Sequence, residues 1–223
     1  MARVIRAALF DLDGVLVDTA HYHYLAWKRL ADGLGFAFTP EQNERLKGVS
    51  RMRSLEILLE VGGLNPPEAE RESLAAQKNT WYVEMLGGLA SEDVLPGARE
   101  TLLAMRERGI RAALGSASRN TPLILDKLGI GPLLDAVIDG NVADRAKPDP
   151  QVFLLGAEAL GLSPAECVVF EDAAAGIEAA RAGGMATVGV GQAENLPGVD
   201  MLIPGLYALD VDGMLAFFQR QQA

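Results

Sequence analysis

Short apolar runs alternate with helix-like segments through most of this 223-residue chain, and this alternation restricts the possible folds more than any other feature. The runs predicted to form strands are residues 4–10, 111–115, 136–138, 167–170, 186–190 and 201–203. The segments predicted to form helices are residues 98–107, 121–128, 150–160 and 174–182. Such alternation favours parallel strands joined by right-handed crossovers, with helices on both faces. We therefore expect an α/β fold built on a doubly wound, Rossmann-like parallel sheet.

Residues from about 19 to 91 lack this alternation and show no convincing strand. Side chains there recur at helical spacing in three groups: His23, Trp27, Leu30 and Leu34; Met52, Leu55 and Leu59; and, more loosely, Leu74, Trp81, Met85 and Leu89. We therefore predict an α/β core formed by residues 1–18 and 92–223. A small α-helical domain of residues 19–91 would be inserted after the first strand.

Charge and cysteine content exclude several classes of partner. The chain carries 30 acidic and 20 basic residues, a net charge of −10, which is unsuited to nucleic acid or anionic membrane surfaces. The single cysteine, Cys167, rules out an intrachain disulfide framework and fits a reducing compartment. The N-terminal residues lack the apolar core of a signal peptide, and the chain has no apolar run long enough to span a membrane. We expect a cytoplasmic protein, most simply a monomer.

Two carboxylates, Asp11 and Asp13, follow the first predicted strand in the string FDLDG. Alone, this pattern also fits an ordinary turn with solvated carboxylates. Like charges so close together are costly unless a cation or a proton offsets them. In a parallel α/β sheet, ligands bind beyond the carboxyl ends of the strands, which is where both residues fall.

A second acidic pair, Glu171 and Asp172, ends another apolar run in the string VVFEDAAAGI. Asp172 alone could be a helix N-cap, but this does not explain the glutamate before it. Two strands that both end in carboxylate pairs suit a hard cation with oxygen ligands, and Mg²⁺ is the natural candidate.

Two further segments supply groups that suit a phosphate. In LGSASRN, we expect Thr121 to cap the following helix, with Pro122 in its first turn, which leaves Ser116, Ser118 and Asn120 free to bind an anion. In AKPDP, Lys147 precedes a proline that favours an extended backbone, and its ammonium could neutralise a carboxylate–phosphate cluster. A polar loop and a surface lysine are the alternatives for each segment taken alone.

These four segments occur in order at the ends of four predicted strands, and together they resemble the motifs of the haloacid dehalogenase superfamily of phosphoryl-transfer enzymes. The resemblance covers nearly the whole chain, and the helical insert resembles that superfamily's α-helical cap. It implies a nucleophilic Asp11, and Asp13 as general acid and base with its carbonyl on the metal. It further implies Glu171 and Asp172 as Mg²⁺ ligands, and Ser116 and Lys147 as groups that hold the phosphoryl.

The cap strings LKGVSRMRSL and KNTWYVEML narrow the resemblance to the superfamily's phosphosugar mutases. On this resemblance Arg51, Ser118 and Asn120 would hold a second phosphate. Thr19 and His23 would couple cap closure to the placement of Asp13, although a purely structural role is the alternative for His23. Lys78 and Trp27 would lie near the sugar, although Trp27 also fits a place in the cap core.

The expected activity is a Mg²⁺-dependent interconversion of β-D-glucose 1-phosphate and glucose 6-phosphate, through an aspartyl-phosphate enzyme and a glucose 1,6-bisphosphate intermediate. The alternative is a sugar-phosphate phosphatase of the same superfamily. A non-catalytic phosphosugar-binding protein is disfavoured because Asp11 and Asp13 are both present. The chain departs from the superfamily pattern at Ala146 and Ala173, where small polar residues are common.

Overall fold

The computed structural model describes residues 4–220, which contain a six-stranded parallel sheet in the order β3-β2-β1-β4-β5-β6. The strands are β1 (Ala7–Phe10), β2 (Arg111–Gly115), β3 (Ala136–Ile138), β4 (Cys167–Glu171), β5 (Ala186–Val190) and β6 (Met201–Ile203). The first strand lies in the middle, so its carboxyl end is flanked by those of β2 and β4. The predicted doubly wound α/β architecture is thus confirmed.

Side chains of the central strand alternate between two apolar layers, as a pleated strand with both faces covered requires. Ala8 and Phe10 point into the larger layer, where the rings of Phe10 and Phe170 stack with centroids 4.7 Å apart. Ala7 and Leu9 point into the layer on the opposite face. The sheet therefore has a packed core on each side, and its open edge is the line of strand ends.

The helices of the described chain are α1 (Ala20–Gly33), α2 (Pro40–Asn43), α3 (Arg51–Gly62), α4 (Glu68–Met85), α5 (Ala98–Glu107), α6 (Thr121–Leu128), α7 (Gln151–Ala159), α8 (Ala174–Ala182) and α9 (Val211–Arg220). Buried side chains of α5, α6 and α9 belong to the larger apolar layer. Those of α7 and α8 help to form the opposite layer. No helix in residues 4–220 is long and apolar enough to cross a membrane.

Helices α1 to α4 lie in the insert after β1, and α1, α3 and α4 share an apolar cluster. Its members include Trp27, Leu30, Phe38, Leu55 and Leu58. The chain enters and leaves this insert side by side, because Val17 forms a bridge with Val94 and the Leu95 amide donates to the Leu16 carbonyl at 2.9 Å. The domain boundaries at residues 18/19 and 91/92 stay a prediction.

Most differences from the predicted elements are at their ends. The first strand begins at Ala7 rather than residue 4, and β4 extends one residue further, to Glu171. Helix α7 is Gln151–Ala159, one residue shorter at each end than predicted. Its N-cap is Pro150, and the Asp149 carboxylate accepts a hydrogen bond from the Gln151 amide at 2.9 Å, which accounts for the later start.

Candidate active site

Strand pairing brings the predicted site residues together at one edge of the sheet. Phe10 pairs with Leu114 on one side and with Phe170 on the other. The residues that end or follow these strands are Asp11, Ser116 and Glu171, and all three are buried. They meet because the carboxyl ends of neighbouring parallel strands lie at the same edge.

Three carboxylates form a compact cluster at this edge. One oxygen from each of Asp11, Glu171 and Asp172 lies within 4.8 Å of the others. The buried Lys147 ammonium forms ion pairs with Asp11 at 2.5 Å and with Glu171 Oε2 at 3.0 Å. The segment before α7 therefore carries a cation into the cluster from a part of the chain far from β1.

Burial and mutual repulsion govern the protonation of this cluster. Burial, followed by the negative charge of Asp11, raises the pKa of Glu171 well above its usual range and that of Asp172 to about 7. Burial alone would lower the pKa of Lys147, but Asp11 and Glu171 outweigh it and raise that pKa. One lysine thus offsets only part of the negative charge that three ionised carboxylates would carry.

The donor set fits a divalent metal ion. The Glu171 Oε1 atom is buried and, among the described residues, has no hydrogen-bond partner. Its position depends on Gly176 in α8, where a Cβ atom would lie 2.1 Å from the Glu171 Cδ atom. Buried carboxylate oxygens of this kind are the ligands that hard cations such as Mg²⁺ prefer. Asp11, Glu171 and Asp172 could therefore hold a metal.

Asp13 faces the same space from the turn that follows β1. Its carboxylate accepts a hydrogen bond from the hydroxyl of the fully buried Thr19 and lies 4.0 Å from His23 Nε2. Burial, and then the charge of Asp11, raises the pKa of Asp13 to about 6. The two aspartates of the FDLDG string therefore occupy different surroundings, Asp11 paired with a lysine and Asp13 held by a hydroxyl.

His23 and Lys78 form a second polar centre, enclosed by aromatic rings of the insert. Lys78 Nζ lies 2.7 Å from His23 Nδ1 and 4.5 and 4.8 Å from the ring centroids of Trp27 and Tyr82. The His23 ring stacks on Tyr82 at 3.9 Å. Burial lowers the pKa of Lys78 and of His23 well below their usual values. Burial thus disfavours the Lys78 ammonium, and a nearby anion would stabilise it.

The loop after β2 is shaped by its own serines. The Ser118 amide donates to Ser116 Oγ at 3.1 Å, and the Asn120 amide donates to Ser118 Oγ at 3.2 Å. The prediction that Thr121 caps the next helix is wrong, because Asn120 occupies the N-cap position and Thr121 is the first helical residue. The Thr121 hydroxyl instead donates to the Ser118 carbonyl at 2.9 Å.

A cavity of about 410 Å³ lies between the strand ends and the helical insert. It is lined by ten of the predicted site residues: Asp11, Asp13, His23, Trp27, Arg51, Lys78, Ser116, Ser118, Asn120 and Lys147. Three predicted residues do not line it. Thr19 is fully buried beside Asp13, Glu171 is fully buried beside Lys147, and Asp172 lines a neighbouring cavity.

Several lining residues were missed by the sequence analysis. Arg119 lines the cavity with Arg51, and burial followed by the charge of Arg119 lowers the pKa of Arg51. Lys47 lies 3.6 Å from Asp172, so the insert also contributes a cation to the acidic cluster. Both residues stand inside strings already singled out, SASRN and LKGVSR, and their basic character beside the predicted anion-binding residues was the available signal.

Comparison with known proteins identifies the family to which this chain belongs. The model of the haloacid dehalogenase-like hydrolases matches residues 5–184. The chain therefore belongs to the haloacid dehalogenase-like hydrolase family, as its four motifs predict.

Within that family, the chain is 43% identical to the beta-phosphoglucomutase of Bacillus subtilis over 201 residues, which are 89% of each protein. It is 31% identical over 184 residues to the phosphorylated carbohydrates phosphatase of Thermotoga maritima, covering 81% of this chain and 82% of that protein. The crystal structure of beta-phosphoglucomutase from Clostridium difficile is 38% identical and matches with a TM-score of 0.92, covering 96% of this chain and 97% of the other.

Proposed function

We propose that this chain is a Mg²⁺-dependent phosphosugar mutase that interconverts β-D-glucose 1-phosphate and glucose 6-phosphate. The observation that carries the proposal is the Asp11 carboxylate. It lies against Lys147 and within the acidic cluster, and it opens into a cavity whose other wall supplies Arg51 and Lys78. Similarity to the beta-phosphoglucomutase relatives supports the sugar and the reaction.

Asp11 would be the nucleophile. One of its oxygens would attack the phosphorus of the sugar phosphate, and the bond between phosphorus and the sugar oxygen would break. Attack on an anionic phosphate requires that charge be neutralised first, and Lys147 and Ser116 lie beside Asp11 to hold the transferring oxygens. We propose Asp11, the Asp13 carbonyl, Glu171 and Asp172 as the ligands of Mg²⁺. When bound, Mg²⁺ would withdraw charge from the transferring phosphoryl group.

Asp13 would move the proton. Its pKa of about 6 lets a fraction of the carboxyl groups stay protonated near neutral pH, so that Asp13 can give a proton to the leaving sugar oxygen. In the reverse half-reaction, a sugar hydroxyl attacks the aspartyl phosphate and Asp13 accepts its proton. Thr19 and His23 would orient Asp13 between these roles, since both lie against its carboxylate.

The helical insert and the loop after β2 would together supply the second phosphate site. Arg51, Ser118 and Asn120 line the cavity, and we propose that they hold the phosphate that is not reacting. The planar guanidinium of Arg51 suits paired phosphate oxygens, and Arg119 adds a second positive charge. Lys78 and Trp27 would contact the sugar. Glucose 1,6-bisphosphate could then reverse its orientation between two half-reactions while the insert keeps water from the aspartyl phosphate.

The second candidate is a sugar-phosphate phosphatase, which the Thermotoga maritima relative favours. On the same core, the two activities would differ in whether water or a sugar hydroxyl receives the phosphoryl group. We propose a small phosphosugar as the partner in either case, and a cytoplasmic monomer that binds neither nucleic acid nor membranes, in keeping with the acidic composition.

Product analysis distinguishes the two activities. The protein would be incubated with β-glucose 1-phosphate, Mg²⁺ and a trace of glucose 1,6-bisphosphate, and both glucose 6-phosphate and inorganic phosphate would be measured. We expect glucose 6-phosphate as the main product, and inorganic phosphate at a comparable rate would contradict the proposal. Asp11→Asn should abolish turnover without unfolding the protein, whereas Asp18→Asn, the same change at an exposed position, should leave the rate unchanged.

A further inference from the structure

One hydrogen bond joins the insert to the core at the rim of the cavity. The side-chain amide of Asn120, in the loop after β2, donates from Nδ2 to the Asn79 Oδ1 atom of α4 at 2.9 Å. Both side chains are half-buried. Asn120 lines the cavity, whereas Asn79 lies outside its lining and directly follows Lys78, which does line it. Asn79 is thus placed to act through Asn120 rather than on a bound molecule.

The Asn120 side chain is directed to α4 and takes no part in capping its own helix. Asn120 is the N-cap residue of α6, a position where asparagine is favoured because its side-chain oxygen can accept from the first helical amides. Its side chain makes no such bond and points to Asn79 instead. The backbone of Asn120 is held separately by the hydrogen bond that its backbone amide donates to Ser118 Oγ. The bond to Asn79 therefore determines where the Asn120 amide points.

We propose that Asn79 is a positioning residue that latches α4 to the loop after β2 and sets the orientation of the Asn120 amide toward the bound phosphosugar. This inference rests on the proposed function, in which Asn120 holds the phosphate that is not reacting. Without the Asn79 oxygen, the Asn120 side chain loses the acceptor that orients it, and α4 loses a polar link to the core beside the cavity. The phosphosugar then binds more weakly, and water reaches the aspartyl phosphate more often.

The test compares three variants with the wild-type protein. Asn79→Ala removes the acceptor, Asn79→Asp keeps an oxygen at that position, and Thr80→Ala is the matched control on the same helix. Thr80 is exposed and its hydroxyl bonds to the Ala76 carbonyl of its own helix. Steady-state assays would give KM, kcat and the fraction of transferred phosphoryl that is released as inorganic phosphate. Hydrogen exchange of the ligand-free proteins would report protection of residues 116–121.

We expect Asn79→Ala to raise KM by about tenfold, with kcat changed by less than about threefold, and to raise the released fraction of inorganic phosphate by about fivefold. Exchange at residues 116–121 should be faster in Asn79→Ala and close to wild type in Asn79→Asp and Thr80→Ala. The proposal is overturned if Asn79→Ala exchanges like the wild type, if Asn79→Asp exchanges like Asn79→Ala, or if KM is unchanged.

These readouts separate this inference from the proposed function. If the wild-type protein releases only inorganic phosphate, then the mutase proposal fails. The effects of Asn79→Ala on KM and on hydrogen exchange still test the latch. Conversely, if the wild-type protein is a mutase and Asn79→Ala behaves like it, then the proposed function stands and the proposed role of Asn79 is wrong.

Discussion

Replacing Gly176 by alanine tests whether the Glu171 carboxylate is held where the structure places it. Alanine is normally the better helix residue by about 1 kcal/mol, so helix propensity alone predicts that this change stabilises the protein. A Cβ atom at Gly176, however, would lie 2.1 Å from Glu171 Cδ and 2.2 Å from Glu171 Oε1. Carbon atoms normally touch at about 3.5–4.0 Å, so the carboxylate would have to retreat by more than about 1 Å.

That movement acts on a fully buried ion pair. Glu171 Oε2 lies 3.0 Å from Lys147 Nζ, and both side chains are wholly inaccessible to solvent. Overpacking of a core costs about 1–3 kcal/mol, and separating the partners of a buried pair costs about 3–5 kcal/mol. Because the pair is partly retained and alanine has the higher helix propensity, the total cost is smaller. We expect the free energy of unfolding to fall by about 2–4 kcal/mol. For a chain of this length, this corresponds to a fall in Tm of about 5–15 °C.

Thermal denaturation with and without Mg²⁺ measures the effect, together with Mg²⁺ titration by calorimetry. We expect Gly176→Ala to lower both Tm and Mg²⁺ affinity. Gly33→Ala is the matched control, since a Cβ atom at Gly33 in α1 has nothing within 4 Å, and it should leave Tm unchanged or raise it by up to about 4 °C. If Gly176→Ala matched Gly33→Ala in both measurements, then the assigned position of Glu171 would be wrong.

Three further predictions follow from buried polar groups. In the absence of metal, the native protein keeps a proton on Asp172 that the unfolded chain has lost, so thermal denaturation in EDTA should show stability falling as the pH rises from about 4 to about 7. Added Mg²⁺ should make stability depend less on pH, and an equally strong pH dependence with Mg²⁺ would contradict the metal assignment. Lys78→Met should raise Tm, since burial disfavours the ammonium, while weakening phosphosugar binding in a fluorescence titration; unchanged binding would exclude a contact with the ligand. Tyr82→Phe removes a buried hydroxyl whose contact with Thr19 falls short of hydrogen-bond geometry, so Tm should hold or rise, and a clear fall would show that this contact is a hydrogen bond in the native protein.

The sheet could be predicted from the sequence because each strand is a short apolar run with polar residues or glycine at its end. Right-handed crossovers restrict the topology without giving the strand order, and the meeting of Asp11, Ser116 and Lys147 follows from the shared edge of parallel strands. Lys147 and Asp11 are 136 residues apart in sequence, yet their proximity was predictable because both follow strands of one sheet.

Other features depend on tertiary contacts that local sequence does not encode. Asn120 and Thr121 are both capable helix caps, yet neither side chain caps the helix, and that of Asn120 bonds instead to Asn79, which lies 41 residues away in sequence. The aromatic enclosure of Lys78 was equally hidden, because Trp27 and Tyr82 each fit the apolar stripe of an ordinary helix. Gly176 makes space for the Glu171 carboxylate because it lacks a Cβ methyl group, and a hydrophobic pattern in the sequence does not predict this contact.

The bridge at the base of the insert has a consequence for how such proteins diverge. Because Val17 and Val94 lie side by side, the 76 residues between them begin and end at the same place on the core. Another insert joined at these two points could replace this one without changing the register of the sheet. The insert can therefore change during evolution, and with it the molecule that binds, while the residues at the strand ends of the core stay the same.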